Sequence, residues 1–505
     1  MSGVARFPLV QCVCLVLLLA ACGGKSGDTP PPLSDVERPI VTITSPAGGS
    51  SVTAGEQVSA TGTATDDVGV VGVTVAVGGA TPVAATVSAE SWQFDFTPTA
   101  IGELTIAAVA TDAAGNTATA SVSVTVRAPG GDASGPGELQ GSLVAGTGFS
   151  FAVRDDGTVL SWGHNSAAQV GQGDNPPGPD YLEPTPMADL EGIVQIAAGG
   201  IHALALSGDG KVYGWGQNGH GQVGVGRRSV AVTSPVLLTG LTDIVQVAAG
   251  YDSSFALGAD GTVYVWGNND RGQLGLGESG FENRRLAPVE LEAMNGRKIV
   301  AIHSGSSADH VFARAEDGTV YGWGRNSSGQ LGLGDGDDRD SPAAVAGLTG
   351  ITHIAPGWRH TIALRDDGTV WGWGSNIDSA LGLGPDEWGI GEYRREPVQV
   401  PGLSSITQVA AGDAHGLALA GDGTVYSWGR NFNGVLGVGD RESRYSPVKV
   451  EALAEIAGII GGNRHAFALG ADGQVWVWGH GQFGELGLGV ISNEYAPVAL
   501  GLPGD

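Results

Sequence analysis

Ile244-Val-Gln-Val-Ala-Ala-Gly250, Ser253-Ser-Phe-Ala-Leu257, Asp260-Gly261, Thr262-Val-Tyr-Val-Trp-Gly267, Gly272-Gln-Leu-Gly-Leu-Gly277 and Pro288-Val289 make up one unit of a repeat. Its mark is Asp-Gly-x-Val followed by Trp-Gly. The mark returns at Asp156, Asp209, Asp260, Asp317, Asp367, Asp422 and Asp472, with tryptophans at 162, 215, 266, 323, 373, 428 and 478. Self-similarity at about fifty residues signals a unit that buries its faces against its neighbours. Each unit offers four short strands. Val263-Tyr-Val-Trp266 lacks polar alternation, so both of its faces must be covered. Strands ending Ala-Ala, as at Ala248-Ala249, carry side chains small enough for a crowded axis. Strands beginning at Pro186, Pro235, Pro288, Pro342, Pro397, Pro447 and Pro497 are expected on the outside, because proline cannot donate to a central ladder. Asp-Gly between two strands predicts a tight hairpin. The Gly-x-Leu-Gly-x-Gly stretch predicts close approach between units. It is not a phosphate loop, since no Gly-Lys-Ser/Thr follows it.

These seven phased units, covering 139–505, resemble the regulator-of-chromosome-condensation repeat family. The resemblance implies a seven-bladed β-propeller. Units one and seven both look complete, so closure by packing alone is compatible with the sequence.

Upstream, 38–127 shows short alternating runs such as Val73-Thr-Val75-Ala-Val77, Trp92-Gln-Phe94-Asp-Phe96 and Val122-Ser-Val124-Thr-Val126, separated by turn residues. About seven strands in this length predict a β-sandwich. Ile43-Thr-Ser-Pro46 and Asp112-Ala-Ala-Gly-Asn116 resemble bacterial Ig-like domains, which usually act as stalks. The fold class is therefore all-β, a sandwich followed by a propeller, joined by a Gly/Pro-rich linker at 128–138. Asp66, Asp67 and Asp112 are read as turn caps rather than a calcium site.

At the N-terminus, Arg6 precedes an apolar run from Leu9 to Ala21, too short for a bilayer span and suited to an export signal over 1–21. Leu19-Ala-Ala-Cys22 resembles the lipobox of bacterial lipoproteins. That resemblance implies acylation of Cys22, a membrane contact through the lipidated N-terminus, a Pro-rich tether over 22–37 and, with Gly23 following, the outer membrane.

The composition narrows the partners. Glycine is 86 of 505 residues, which disfavours a helical protein. Lys+Arg total 25 against Asp+Glu 52, a net charge of −27, so nucleic acid is not expected as a partner. No His-Glu-x-x-His, Gly-x-Ser-x-Gly, zinc-spaced cysteine pair or Walker loop is present, and no cofactor or metal is expected. Antiparallel order puts the turn after Ala-Ala-Gly and the long loop after Trp-Gly on one face. That face carries Tyr181, Phe281, Arg284, Arg285, Trp388, Tyr393, Arg394, Arg395, Tyr445 and Tyr495, with Trp358 and Arg359 in a short turn. Aromatics and arginine dominate binding hot spots, so these residues are the candidate partner-binding set.

His202, His310, His360, His415 and His465 share one register, with Phe149 and Ser253 replacing it in two units. They are read as structural hydrogen-bonding groups. Asp335-Gly-Asp337-Asp338-Arg-Asp340 is read as a solvated acidic loop. The leading reading is a non-enzymatic envelope lipoprotein presenting a protein-binding propeller. An extracytoplasmic enzyme acting on polysaccharide or peptide is the alternative, favoured by a carboxylate pair in the axial funnel. Guanine-nucleotide exchange, implied by nuclear family members, is disfavoured by the export signal. A light sensor, known among plant relatives, is disfavoured by the scatter of Trp358, Trp371, Trp388 and Trp476.

Overall fold

The structure, a computed structural model, describes residues 37–46, 51–53, 57–98, 102–127, 143–154, 157–174, 178–188, 190–385 and 393–503. Among them every long element is a strand, and three short 3-10 turns are the only helical segments.

The first region is a two-sheet sandwich. One sheet orders Ile40–Val41, Val58–Thr65, Ser91–Phe96 and Thr86–Ser88. The other orders Ser51–Thr53, Thr117–Arg127, Gly102–Asp112, Val70–Val77 and Val83–Ala84. That makes nine strands rather than about seven, because the short edge pieces Ser51–Thr53 and Val83–Ala84 have too few residues to show alternation. Trp92, Val73, Val75, Ile106, Ala108 and Val124 fill the space between the sheets. Asp66 accepts hydrogen bonds from the backbone N–H of Val68 and Gly69, and Asp112 from that of Asn116, so both carboxylates cap turns.

Seven four-stranded antiparallel sheets follow, each from one contiguous stretch: 143–186, 193–237, 244–290, 299–344, 351–399, 406–449 and 456–500. Among the described residues no strand is exchanged between the first and last. The order within each sheet is sequential, with the first strand innermost and the Pro-bearing fourth strand at the rim. The Asp-Gly hairpin works as its chemistry predicts. Asp260 Oδ1 accepts from Thr262 N–H at 2.9 Å, and Gly261 takes φ +89°, where a side chain would be strained. The prolines do not begin their strands. Pro288 lies inside Arg285–Glu290, between Val289, which pairs with Val265, and Arg285, which pairs with Gly267. A bulge at this point removes the need for a proline N–H, so proline suits the bulge as well as the edge. In the first blade Pro184, not Pro186, holds that register.

The cores lie between blades. Phe255, Leu257, Val265 and Leu274 of the third blade pack with Ile302, Val311 and Trp323 of the fourth. Leu143 and Trp162 of the first pack with Phe467, Val477 and Leu486 of the last. All seven motif tryptophans are buried, and each indole N–H donates across the seam to a loop carbonyl of the preceding blade. The acceptors are Gln169, Gln222, Gln273, Gln330, Ala380, Val435 and, closing the ring onto Trp162, Glu485, at 2.8–3.0 Å.

The glycine-rich stretch makes that approach possible. Gly275 has φ +72°, and a Cβ there would sit 3.0 Å from Trp323 Nε1. Its neighbour Gly277 donates to the Asp340 carbonyl of the next blade at 2.7 Å, and Gly489 closes the ring by donating to Leu182 at 2.9 Å. A second set of ties lines the axis. The Gln246 amide exchanges two hydrogen bonds with the backbone of Ile302, while Gln195 and Gln408 accept from Val247 and Ile459 N–H.

Candidate functional site

We call the side bearing the turn between first and second strands, and the loop between third and fourth, the upper face. The Asp-Gly hairpins and the crossovers to the next blade form the lower face. The exposed aromatic side chains among the described propeller residues are Tyr251, Phe281, Trp358, Phe432, Tyr445, Phe483 and Tyr495. All of them stand on the upper face or its rim. The exposed large apolar residues toward the lower face are aliphatic: Val194, Val236 and Leu237.

The candidate residues fall into three groups. Phe281, on the short turn Phe281–Asn283, is exposed and carries the Arg284 guanidinium 3.3 Å from its ring centre, with Arg228 5.6 Å away. Trp358 is exposed and carries Arg359 at 4.0 Å. Tyr445 and Tyr495 are exposed on outer strands, where their carbonyls accept from Gly384 and Gly439 of the preceding blade.

The second group, Arg395 apart, is held inside its own blade. Tyr181 is half-buried and donates to Asp174 at 3.0 Å. Arg285 pairs with Glu278 within one loop, the same tie that Arg339 makes with Asp335 and Arg444 with Asp440. Arg394 stands at that same register opposite Gly374, and Tyr393 pairs in the ladder with Ser375. Arg395 is exposed, beside Gly329 of the preceding blade. The third group, Trp388 and Cys22, lies outside the described residues.

Three exposed aromatics were missed in the sequence. Phe432 lies 4.9 Å from Arg430, Phe483 stacks on His164 at 4.5 Å across the closing seam, and Tyr251 sits in a three-residue turn. Phe432 had a signal: it holds a loop register where other blades place Ser166, Gly219, Asp270 and Ser327.

The axis holds a narrow cavity of about 110 Å³, lined by residues such as Gln195, Gln246, His303, His353 and Gln408. Its upper mouth is covered. The turn between first and second strands has three residues in six blades but six, 304–309, in the fourth. This longer turn reaches across the axis, where Ser307 Oγ accepts from Asn463 Nδ2 at 2.7 Å and the Ser306 carbonyl accepts from Thr147 at 3.5 Å.

Beside it stand two carboxylates, Asp252 buried and Asp309 partly buried. Burial, reinforced by the Asp309 charge, pushes Asp252 up to about 6, although Gln222 Nε2 donates to it at 2.8 Å. Burial likewise raises Asp309, opposed by Arg325 at 3.6 Å. Asp335 accepts from the Asn326 amide and Asp337 N–H, so its loop is a capped turn of the blade.

The histidine register is a seam device. Each of its five rings is buried and begins a second strand. Nε2 of His202, His310 and His465 meets Ser254, Thr361 and Ser150 of the following blade at 2.8–2.9 Å, and those hydroxyls donate onward to the Gln222, Gln330 and Glu485 carbonyls. Burial holds the rings neutral, lowered to about 3 or 4. Among the described residues no three His, Cys, Asp or Glu side chains are placed to hold a metal ion.

A seven-bladed ring latched by tryptophan and preceded by an Ig-like sandwich defines the class of protein. The profile of the RCC1-like domain matches residues 100–458, that of the regulator of chromosome condensation (RCC1) repeat matches 472–505, and that of a bacterial Ig domain matches 39–126. The chain belongs to the RCC1-like domain family. The first match begins at residue 100, just before the last two strands of the sandwich, whereas the first described blade strand starts at Leu143.

The chain is 35% identical over 308 residues to the ultraviolet-B receptor UVR8 of Arabidopsis thaliana, covering 59% of this chain and 67% of that protein. It is 32% identical over 318 residues to the human E3 ubiquitin-protein ligase HERC2, again 59% of this chain but 6% of HERC2. The crystal structure of Prp20p from Saccharomyces cerevisiae, described with its binding to Gsp1p and histones, superposes with a TM-score of 0.59. The two are 25% identical, over 68% of this chain and 86% of that one.

Proposed function

We propose that this chain is a bacterial cell-envelope lipoprotein, anchored through Cys22 in the outer membrane or at the cell surface. Its propeller offers the upper face to a protein partner, without catalysis and without nucleic acid. The observation that carries the binding reading is the one-sided placement of the exposed aromatics, several with an arginine against the ring. Aromatic–Arg pairs supply large contact area and directional hydrogen bonds at low entropic cost. Protein binding described for Prp20p is consistent with this use of the fold. The export signal and lipobox support the anchor, and the net charge of −27 supports the exclusion of nucleic acid.

Two experiments test this. A photo-crosslinking residue at Trp358 or Phe432, compared with one at Asp422 in a lower-face hairpin, should trap a partner on intact cells only from the upper positions. Equal crosslinking from both faces sinks the reading. Cys22→Ala should move the protein from the membrane fraction to the soluble fraction; a mutant that stays with the membrane removes the anchor.

The carboxylate pair bears on the alternative of an extracytoplasmic enzyme acting on polysaccharide or peptide, because a raised pKa in a cleft marks candidate acids. Both groups are, however, engaged inside the protein: Asp252 with Gln222, and Asp309 with Arg325. Turnover of a polysaccharide or peptide that Asp252→Asn abolishes would establish the alternative.

A further inference from the structure

Resting on the reading of the upper face, we propose that the crevice between the second and third blades, where Phe281 covers the guanidinium of Arg284, receives a carboxylate from the bound partner. Arg284 is only 9% exposed, and none of its three guanidinium nitrogens has a hydrogen-bond partner within the protein. A buried charge without hydrogen bonds is strongly unfavourable, so it persists where another group completes it. A second orphan stands beside it. His220 Nδ1 is buried without a partner, and its ring feels the charges of Arg284 and Arg228. Arg228 donates to the Gly219 carbonyl and lies near the Phe281 ring, so two guanidinium groups bracket one phenyl. Asp270 and Glu282 are within electrostatic reach of Arg284, yet neither gives it a hydrogen bond.

The cover is built to move. Phe281 is 52% exposed on a three-residue turn that follows Gly280 at φ +111°. Swinging the ring outward bares the guanidinium without disturbing the blade core. The ligand class follows from charge and shape. Two cations offset by two nearby carboxylates accept a monoanion more readily than a phosphate dianion, and the chain as a whole is strongly acidic. A planar carboxylate matches the guanidinium fork with two parallel hydrogen bonds. An acidic side chain or a chain terminus of the partner supplies that group.

The test uses the full chain with 15N-labelled arginine and three probes at equal ionic strength and pH 7: sodium acetate, sodium phosphate and sodium chloride. The Nε–Hε signal of Arg284, assigned by its loss in Arg284→Leu, should shift saturably with acetate and not with chloride. Phe281→Ala should lower the acetate concentration at half-saturation, because the cover is gone. Absence of an acetate shift in both the wild type and Phe281→Ala overturns the proposal, leaving water as the group that completes Arg284. Saturation by phosphate but not acetate overturns it also, because the ligand class is then different. Acetate binding asks nothing of the partner, so its failure leaves the upper-face reading standing. Loss of the face-specific crosslinks alongside a normal acetate response removes the face reading alone.

Discussion

The sandwich and the propeller both bury tryptophan, but they use it differently. Trp92 fills the single core of the sandwich, and its indole donates to Thr42 of the same domain at 3.2 Å. In the propeller the indole crosses to the neighbouring blade every time, and so do the Gln246 clamp, the Gly277 bond and the His202–Ser254 pair. The sandwich is stabilised within its own unit, whereas a blade is stabilised by what lies beside it. Titratable chemistry divides the same way. All ten histidines of the chain lie beyond residue 163, so the sandwich has none.

Acid should separate the two regions most strongly. The register histidines ordinarily titrate near 6.5 but are lowered to about 3 in His202, His310 and His415 and about 4 in His360 and His465. The unfolded chain therefore binds more protons below pH 6.5. Stability is fully present above that pH and is lost as pH falls from about 6.5 toward 3–4, by up to about 3–5 kcal/mol per ring. Calorimetry from pH 7 to 4.5 should show the propeller transition falling steeply while the sandwich transition holds. Parallel falls would break the comparison.

Glycine substitution should follow. Gly275→Ala forces a side chain into φ +72° and against Trp323, at an expected cost of about 3–4 kcal/mol. Gly72→Ala in the sandwich strand Val70–Val77 meets nothing within 4 Å and should leave stability unchanged or slightly higher. Denaturant midpoints of the two variants measure the difference.

Buried carboxylates give the next contrast. Burial raises Asp112 of the sandwich, but hydrogen bonds from Asn116 outweigh it and the net shift is downward, favouring the charged form. Asp252 is shifted the other way, to about 6, so its ionisation removes stability as pH rises from about 4 to about 6. Asp252→Asn should raise stability at pH 7 by about 3 kcal/mol and change little at pH 4. Asp112→Asn should lower stability at pH 7. Thermal unfolding of each variant at both pH values decides this; equal effects at the two pH values for Asp252→Asn remove ionisation as the cause.

Much of this was legible in the sequence because each repeated residue serves the same contact seven times. Trp-Gly, Gly-x-Leu-Gly-x-Gly and Asp-Gly each mark one seam or hairpin, and the register of His202 marks another. What escaped was what occurs once or what only the paired chain shows. The six-residue turn at 304–309 covers the cavity, but in sequence it is only a few extra small residues. Pro288 reads as a strand start because a bulge leaves no trace in periodicity. Arg285 reads as a free cation until Glu278 is seen beside it, and the missing partners of Arg284 are visible only in three dimensions.

The smallest predicted effect sharpens the seam argument by repairing a gap. The His202, His310 and His465 rings reach a hydroxyl on the next blade, but His360 and His415 do not, because Gly416 and Ala466 stand where Ser254, Thr361 and Ser150 stand elsewhere. Nε2 of both is buried without a partner. Gly416 cannot be altered, since a Cβ there would lie 2.4 Å from the Trp428 ring. Ala466 already carries a Cβ, so Ala466→Ser adds one oxygen within reach of His415. The carbonyl of Val435, which accepts from Trp478 at 2.8 Å, occupies the place that the Gln222 carbonyl takes for Ser254. The new hydroxyl therefore finds both an acceptor and a histidine. A net gain of about 1 kcal/mol is expected, because a buried orphan is satisfied at little entropic cost. The gain should appear as a higher denaturant midpoint of the propeller with the sandwich unmoved. A neutral or lower midpoint would mean that water already serves His415, and that the hydroxyl ties elsewhere in the ring add less than their geometry implies.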